Sequence, residues 1–420
     1  MSTTPQTQPA SEAKLCRVIL VSALIPPAFS GAGDFVYKYA QRLEHRGQLA
    51  FLLCLAFNEK SYREFEPELA EYKIVRLPPE GMARTDSLWK FAVKLWRLSL
   101  LFVRVGWLLL CRRSQYDIVH VVSQSWVCAF ALFWAHLLGK ATVYETSLVG
   151  QDDLLTIRQE SGRVKYWLIT RAHAYVAISP QLYDLCHTAG IPESRLYLIG
   201  NSVDTDLFHP VDQASKATLR KKLHLAENAP VILFVGRICE RKGADLLPAI
   251  LRGVLEAYPN ACLLLVGPES LLADLADSTG LPADIIRNEL RDCLERRQLV
   301  FTGTVCNVQD YMQASDVFCF PSRREGFGTV LVEAMACGLP SVVHNIEGIT
   351  SFIMEDGVEG FIVHDENTSA YSKTIVRVLS DAAEYSAVSA KARQKALFAF
   401  SAEVIDHDYL LLYERLLRDA

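Results

Sequence analysis

The 420-residue sequence contains no Cys-x-x-Cys pair, which excludes the usual zinc-ribbon and thioredoxin-like redox motifs. Its eleven cysteines are scattered, most of them in apolar runs such as Leu52-Leu53-Cys54-Leu55 and Phe318-Cys319-Phe320, and they read as buried, reduced thiols. Charge of one sign is lacking as well. Forty-three basic residues against 48 acidic ones leave a formal net charge of −5, so no global field recruits nucleic acid. The opening MSTTPQTQPASEAK has no basic-then-apolar order and is expected to be a disordered tail over 1–13. The longest stretch without Asp, Glu, Lys or Arg, Ile118–Gly139, begins as a β-branched strand. It turns helical only near Trp126 and is too short there to cross a bilayer.

What is present is apolar material. Half of the residues are hydrophobic, 22% are charged and 10% are aromatic, enough to bury more than one core and to exclude wholesale disorder. At about 150 residues per domain, the length implies two or three domains. Short β-branched runs alternate with longer helical periods, the pattern of parallel sheets covered by helices. Strands are expected at Arg17–Ala23, Leu49–Leu55, Ile118–Val122, Ala141–Glu145, Ala174–Ile178 and Tyr197–Ile199. A second series follows at Val231–Val235, Cys262–Val266, Leu299–Phe301, Val317–Phe320 and Pro340–His344. The expected class is α/β, with two Rossmann-like domains facing a cleft. The first covers 14–205, a hinge-like linker covers 206–228, the second domain covers 229–397, and a terminal helix over 398–420 returns to the first.

Two loops carry the chemistry. In Phe320-Pro321-Ser322-Arg323-Arg324-Glu325-Gly326-Phe327-Gly328-Thr329-Val330, a strand ends, a Gly-rich loop follows and a helix opens near Thr329. Helix N-termini offer unpaired N–H groups and a positive dipole end, which suits an anion. Glu325 lies on the loop and Glu333 just inside the helix. Both come from one loop-helix unit, whereas a glycosidase needs carboxyls flanking the bond, so hydrolysis is disfavoured. The bland alternative gives both acids capping and surface roles. In the second loop, Val235-Gly236-Arg237-Ile238-Cys239-Glu240-Arg241-Lys242-Gly243, Arg237 and Lys242 supply a donor fork and a point charge suited to phosphate. A solvated basic loop is the alternative there, and the spacing is not that of a P-loop.

Taken in order, Gly236-Arg237, Lys242-Gly243, Val266-Gly267-Pro268, Phe301-Thr302-Gly303, Asp316, Pro321-Ser322, Glu325-Gly326-Phe327-Gly328, Glu333-Ala334 and Gly338-Leu339-Pro340 resemble the donor domain of family 4 glycosyltransferases. These are retaining enzymes of GT-B fold. The resemblance covers roughly 195–365 strongly and the first half more loosely, through Ser30-Gly31-Ala32-Gly33 and Asn201-Ser202-Val203-Asp204. It implies a nucleotide-diphosphate sugar as donor, transferred with retention to a glycan, lipid-linked or small-molecule acceptor, and no metal or other cofactor. It assigns Glu325, Arg237 and Lys242 to catalysis. Gly31, Ala32, Gly33, Gly236, Gly267, Thr302, Val305, Gly326, Phe327, Gly328, Thr329, Val330 and Glu333 are assigned to the donor, with Glu333 on the ribose hydroxyls.

Many relatives carry a histidine after the strand at Ala141–Glu145, where this chain reads Thr146-Ser147. Ser147 and His120 are the candidates for that sugar or acceptor contact. A packed histidine is the alternative for His120, and helix N-cap roles are expected for Asp152 and Asp153. Asp204-Thr205-Asp206 and Asp406-His407-Asp408 match the metal-binding Asp-x-Asp spacing, but neither follows a strand of the donor domain. They read as turn acids and a solvated helix face. A segment over 88–113 combines Trp, Leu, Lys and Arg in the manner of an interfacial helix, with a domain-covering helix as the alternative. The implied location is cytoplasmic, with peripheral contact to the inner face of a membrane. A hydrolysing nucleotide-sugar epimerase and a non-catalytic subunit of the same fold are the competing readings.

Overall fold

The computed structural model describes residues 16–26, 31–56, 73–78, 88–269 and 282–419. Its strands, in chain order, form two sheets. The first contains β1 (Val18–Ser22), β2 (Leu49–Leu55), β3 (Ile74–Leu77), β4 (Ile118–Val122), β5 (Ala141–Thr146), β6 (Ala174–Ala177) and β7 (Leu196–Leu198), in the order β3-β2-β1-β4-β5-β6-β7. The second contains β8 (Val231–Val235), β9 (Cys262–Val266), β10 (Leu299–Gly303), β11 (Val317–Phe320), β12 (Ser341–His344) and β13 (Phe361–Val363), in the order β10-β9-β8-β11-β12-β13. Every pairing in the second sheet is parallel. Strands buried on both faces need apolar side chains at every position rather than at alternate ones. The runs VILVS, IVHVV, VILFV and CLLLV are buried throughout, as that rule requires.

Contacts gather the chain into two compact units. One holds Met1–Glu145, Ser161–Tyr175 and Leu411–Ala420, and the other Thr146–Glu160 and Val176–Leu410. In each sheet the strand order reverses at one point, between β1 and β4 and between β8 and β11. Open α/β sheets bind ligands beyond the carboxyl ends of the strands at such a reversal.

Two parts of the sequence reading change. The stretch expected as a hinge contains the helix Gln213–Lys222, capped by the Asp212 carboxylate, which accepts the Ser215 N–H at 2.8 Å. Buried Arg220 fixes this helix by donating to the carbonyls of Ala314, Glu227 and Ala229 and to the Asp316 carboxylate. Asp316 also takes Lys216 at 2.7 Å and the Val231 N–H at 2.7 Å, so its role is to tie the helix to β8. In the terminal helix Ala402–Arg418, Asp406 is fully buried rather than on a solvated face, while Asp408 is exposed. Tail residues 1–13 lie outside the described residues.

Candidate functional site

The reversal in the second sheet brings two loops together. The loop after β8 contains Gly236, Arg237 and Lys242, and the loop after β11 contains Ser322 and Glu325. Gly243 fastens one to the other. Its φ is +70°, and a Cβ there would sit 2.0 Å from the Pro321 carbonyl oxygen, so only glycine fits. The Arg323 N–H donates to the Arg241 carbonyl at 2.9 Å. The Arg323 guanidinium forks onto Asp245 at 2.7 and 2.8 Å and also reaches Glu366. Backbone pairing continues along the sheet edge, where Gly236 N–H donates to Val266 and Gly267 N–H to Gly303.

Within this frame Lys242 Nζ lies 2.6 Å from Glu325 Oε1, and Ser322 Oγ donates to the same oxygen at 2.5 Å. Arg241 Nη1 stands 3.9 Å from Glu325 Oε2 while donating to the Arg324 carbonyl at 2.7 Å. Glu325 is buried, and the Lys242 ammonium sits 5.7 Å from the Phe320 ring centroid. A carboxylate held by an ammonium and a hydroxyl in a largely dry site keeps one orientation. Arg237 is half-buried on the same loop as Lys242. Ser322 and Arg241 were quoted in the motifs but given no role. The signal for Ser322 is the Pro-Ser pair ahead of the glutamate, and Arg241 directly precedes Lys242.

The helix Thr329–Ala336 starts after Gly328, and Asn201 donates its side-chain N–H to Thr329 Oγ1 at 3.1 Å. Glu333 is buried in the second turn, so neither glutamate has the surface role of the bland alternative. Phe327 departs from its assignment. Its ring is buried edge-on against Phe352 and Phe400 and covers Gly200, where a Cβ would meet it at 2.8 Å. The side chain is core. Val305 and Val330 are half-buried against that core, and the Thr302 hydroxyl donates to the Gly303 carbonyl at 2.9 Å. Gly31, Ala32 and Gly33 form the first turn of the helix Gly31–His45 rather than a loop before it.

Gly326 allows the closest approach at the site, because a Cβ there would lie 1.8 Å from the Ser147 carbonyl oxygen. Asp152 shapes the Ser147 turn. Its carboxylate accepts the N–H groups of Ser147 and Leu148 at 2.9 and 2.7 Å and the Ser147 hydroxyl. Burial pushes the Asp152 carboxyl up to about 6, against the lowering pull of these hydrogen bonds. Ser147 thus commits its hydroxyl to Asp152, and Asp152 clamps a turn rather than capping a helix. Asp153 does cap one, accepting the Thr156 N–H at 2.9 Å ahead of the helix Leu154–Glu160.

His120 is corrected. It sits mid-strand in β4, fully buried, with Nδ1 2.8 Å from the Tyr413 hydroxyl and Nε2 3.1 Å from Glu145. It is a core residue of its unit, as the packed-histidine alternative has it. Asp204 accepts the N–H groups of Asp206 and Leu207, both at 3.0 Å, so the first Asp-x-Asp is a turn.

Comparison with known proteins now adds to this geometry. The pattern described as Glycosyl transferases group 1 matches residues 215–395, and that of Glycosyltransferase Family 4 matches residues 29–207. The chain belongs to glycosyltransferase family 4. A D-inositol 3-phosphate glycosyltransferase of Xylanimonas cellulosilytica is 30% identical over 217 residues, covering 50% of this chain and 49% of the relative. The chain thus spans about half the length of the first curated relatives it matches. The N-acetyl-alpha-D-glucosaminyl L-malate synthase of Bacillus anthracis is 22% identical over 404 residues, covering 94% of this chain and 96% of the relative. Among solved structures, Anabaena HepE in complex with UDP-glucose superposes with a TM-score of 0.72 at 19% identity, covering 96% of this chain and 100% of that one. That similarity fixes the fold as GT-B, two parallel Rossmann-like sheets.

Proposed function

We propose that this family 4 protein transfers a hexose from a nucleotide-diphosphate sugar to an acceptor hydroxyl, with retention of configuration and without a metal. The observation that carries the reading is the pair of half-buried Lys242 and buried Glu325 beyond the carboxyl ends of β8 and β11. Transfer breaks the bond between the anomeric carbon and the diphosphate oxygen and forms one to the acceptor oxygen, whose proton passes to the leaving phosphate. New negative charge collects on the diphosphate. In this reading Lys242, Arg237 and the N–H groups at the start of the helix Thr329–Ala336 receive it. Glu325 faces the electron-poor sugar ring, its position set by Ser322 and Lys242, and Glu333 accepts the ribose hydroxyls.

The structural neighbour HepE is solved in complex with UDP and with UDP-glucose, which makes UDP-sugars the first donors to try. The acceptor class is a glycan, a lipid-linked sugar or a small molecule, and the reaction is placed in the cytoplasm with peripheral contact to the inner face of a membrane. The test is diphosphate release across a panel of nucleotide sugars and acceptors, with Lys242→Ala and Glu325→Ala beside the unaltered chain. Removing one group that stabilises developing charge costs about 10²–10³-fold in turnover. Near-normal turnover in a variant with an unchanged circular dichroism spectrum would sink the assignment.

A further inference from the structure

The helix Leu88–Cys111 has one side that is core and one that is bare. Leu101, Val105 and Leu109 are buried, and Phe102 packs on Phe130 and Trp134 at 5.2 and 5.0 Å between ring centroids. The Trp134 indole N–H donates to the Phe102 carbonyl at 3.0 Å, and a Cβ on Gly106 would sit 2.3 Å from the same ring. On the opposite side Trp89, Trp96 and Trp107 are 77, 64 and 68% exposed, with Val103 and Leu110 exposed between and beyond them. Trp89, Trp96, Val103 and Leu110 recur every seven residues, and seven residues return almost to the same helical angle. They form one apolar row.

Exposed Arg97 and Arg104 directly follow Trp96 and Val103 in sequence, so a basic row runs beside the apolar one. Half-buried Lys94 lies toward the packed side, outside that row. From Leu88 to Tyr116 the chain has no Asp or Glu, while Lys90, Lys94, Arg97, Arg104, Arg112 and Arg113 are all basic. This charge pattern selects the occupant. A second copy docking along the row would set arginines against arginines with no acid on the helix to answer them. A bilayer rich in anionic lipid answers both rows at once. Tryptophan rings favour the boundary between headgroups and acyl chains, and guanidinium groups pair with phosphates. Among the described residues no helix is long and apolar enough to cross a membrane, so such a contact is interfacial.

We propose that the Trp89–Trp96–Val103–Trp107–Leu110 face of this helix lies on the surface of an anionic lipid bilayer, with Arg97 and Arg104 on the headgroup phosphates. The proposal deepens the peripheral membrane contact of the proposed function and is independent of the sugar-transfer chemistry.

It is tested with the full chain and sonicated vesicles of phosphatidylcholine, alone or mixed with phosphatidylglycerol. The unaltered chain should pellet with the mixed vesicles at low salt, bind the neutral ones far less, and have its tryptophan fluorescence quenched by brominated lipid. Arg97→Gln with Arg104→Gln should weaken binding to mixed vesicles on the order of twentyfold. Trp96→Ala with Trp107→Ala should weaken it on the order of tenfold or more. All four positions are exposed, so the variants keep the fold. Absence of pelleting at low salt, binding unaffected by either pair, or no quenching would overturn the proposal. So would a concentration-dependent dimer that the tryptophan pair abolishes, which would assign the face to a second copy.

Discussion

At the scale of single residues, the site depends on carboxylates whose neighbours decide their behaviour. Glu325 has an ammonium and a hydroxyl on one oxygen, whereas Asp152 has only N–H and O–H donors and is fully buried. The Asp152 carboxyl is raised from 3.8 to about 6, so its contribution to stability is fully present below about 3.8 and is lost as pH rises through about 6. Compared with Asp152→Asn, the native chain should gain about 2–3 kcal/mol of unfolding free energy as pH falls from 7 to 4. Urea midpoints of both proteins across that range check the sign. A difference independent of pH would remove Asp152 as the titrating group. The two loops were legible at this scale because Lys242 and Glu325 each sit in a Gly-containing turn after a strand. His120 was not, because a histidine in an apolar run says nothing of a tyrosine 293 positions away.

At the scale of elements, legibility followed length and burial. Strands β8 and β9 were expected over the ranges they occupy, because runs apolar at every position admit few other readings. Strands β3 and β13 were missed. They have four and three residues, too few for any periodicity to register. The helix Gln213–Lys222 was missed for another reason: its residues are mostly polar, and Arg220, Lys216 and Lys222 hold it through polar contacts, with Leu219 packed against the core rather than a broad apolar face. Arg220→Ala leaves three carbonyls and part of Asp316 without that donor in a buried setting. It should lower unfolding free energy by about 3 kcal/mol, read as a shift in the denaturant midpoint with an unchanged slope. A loss below about 0.5 kcal/mol would mean that the other contacts hold the helix alone.

At the scale of the whole molecule, two sheets covered by helices were foreseeable from the repeated rhythm of strands and helices, the strand order within each was not, and the family's motif order fell on the second of them. The composition of the units was less legible at Thr146–Glu160, which clusters with the later part of the chain. No local pattern announces such an exchange, because it is decided by packing between segments far apart in sequence.

The terminal helix carries a consequence for how the protein is made. Tyr413 bonds His120 at 2.8 Å and Tyr39 at 3.2 Å, so the first unit's core contains a group translated after every strand of both sheets. A ribosome that has reached residue 400 has supplied every strand of the first sheet but not this hydroxyl, and it leaves a buried imidazole short of a partner. Chains released at 400 should therefore be cut in the first unit by dilute protease about tenfold faster than the 420-residue chain, with the second sheet less affected. Equal cleavage rates would show that the tyrosine is dispensable to the first unit. While the second sheet is being made, the amino-terminal half is a structure awaiting a distant piece.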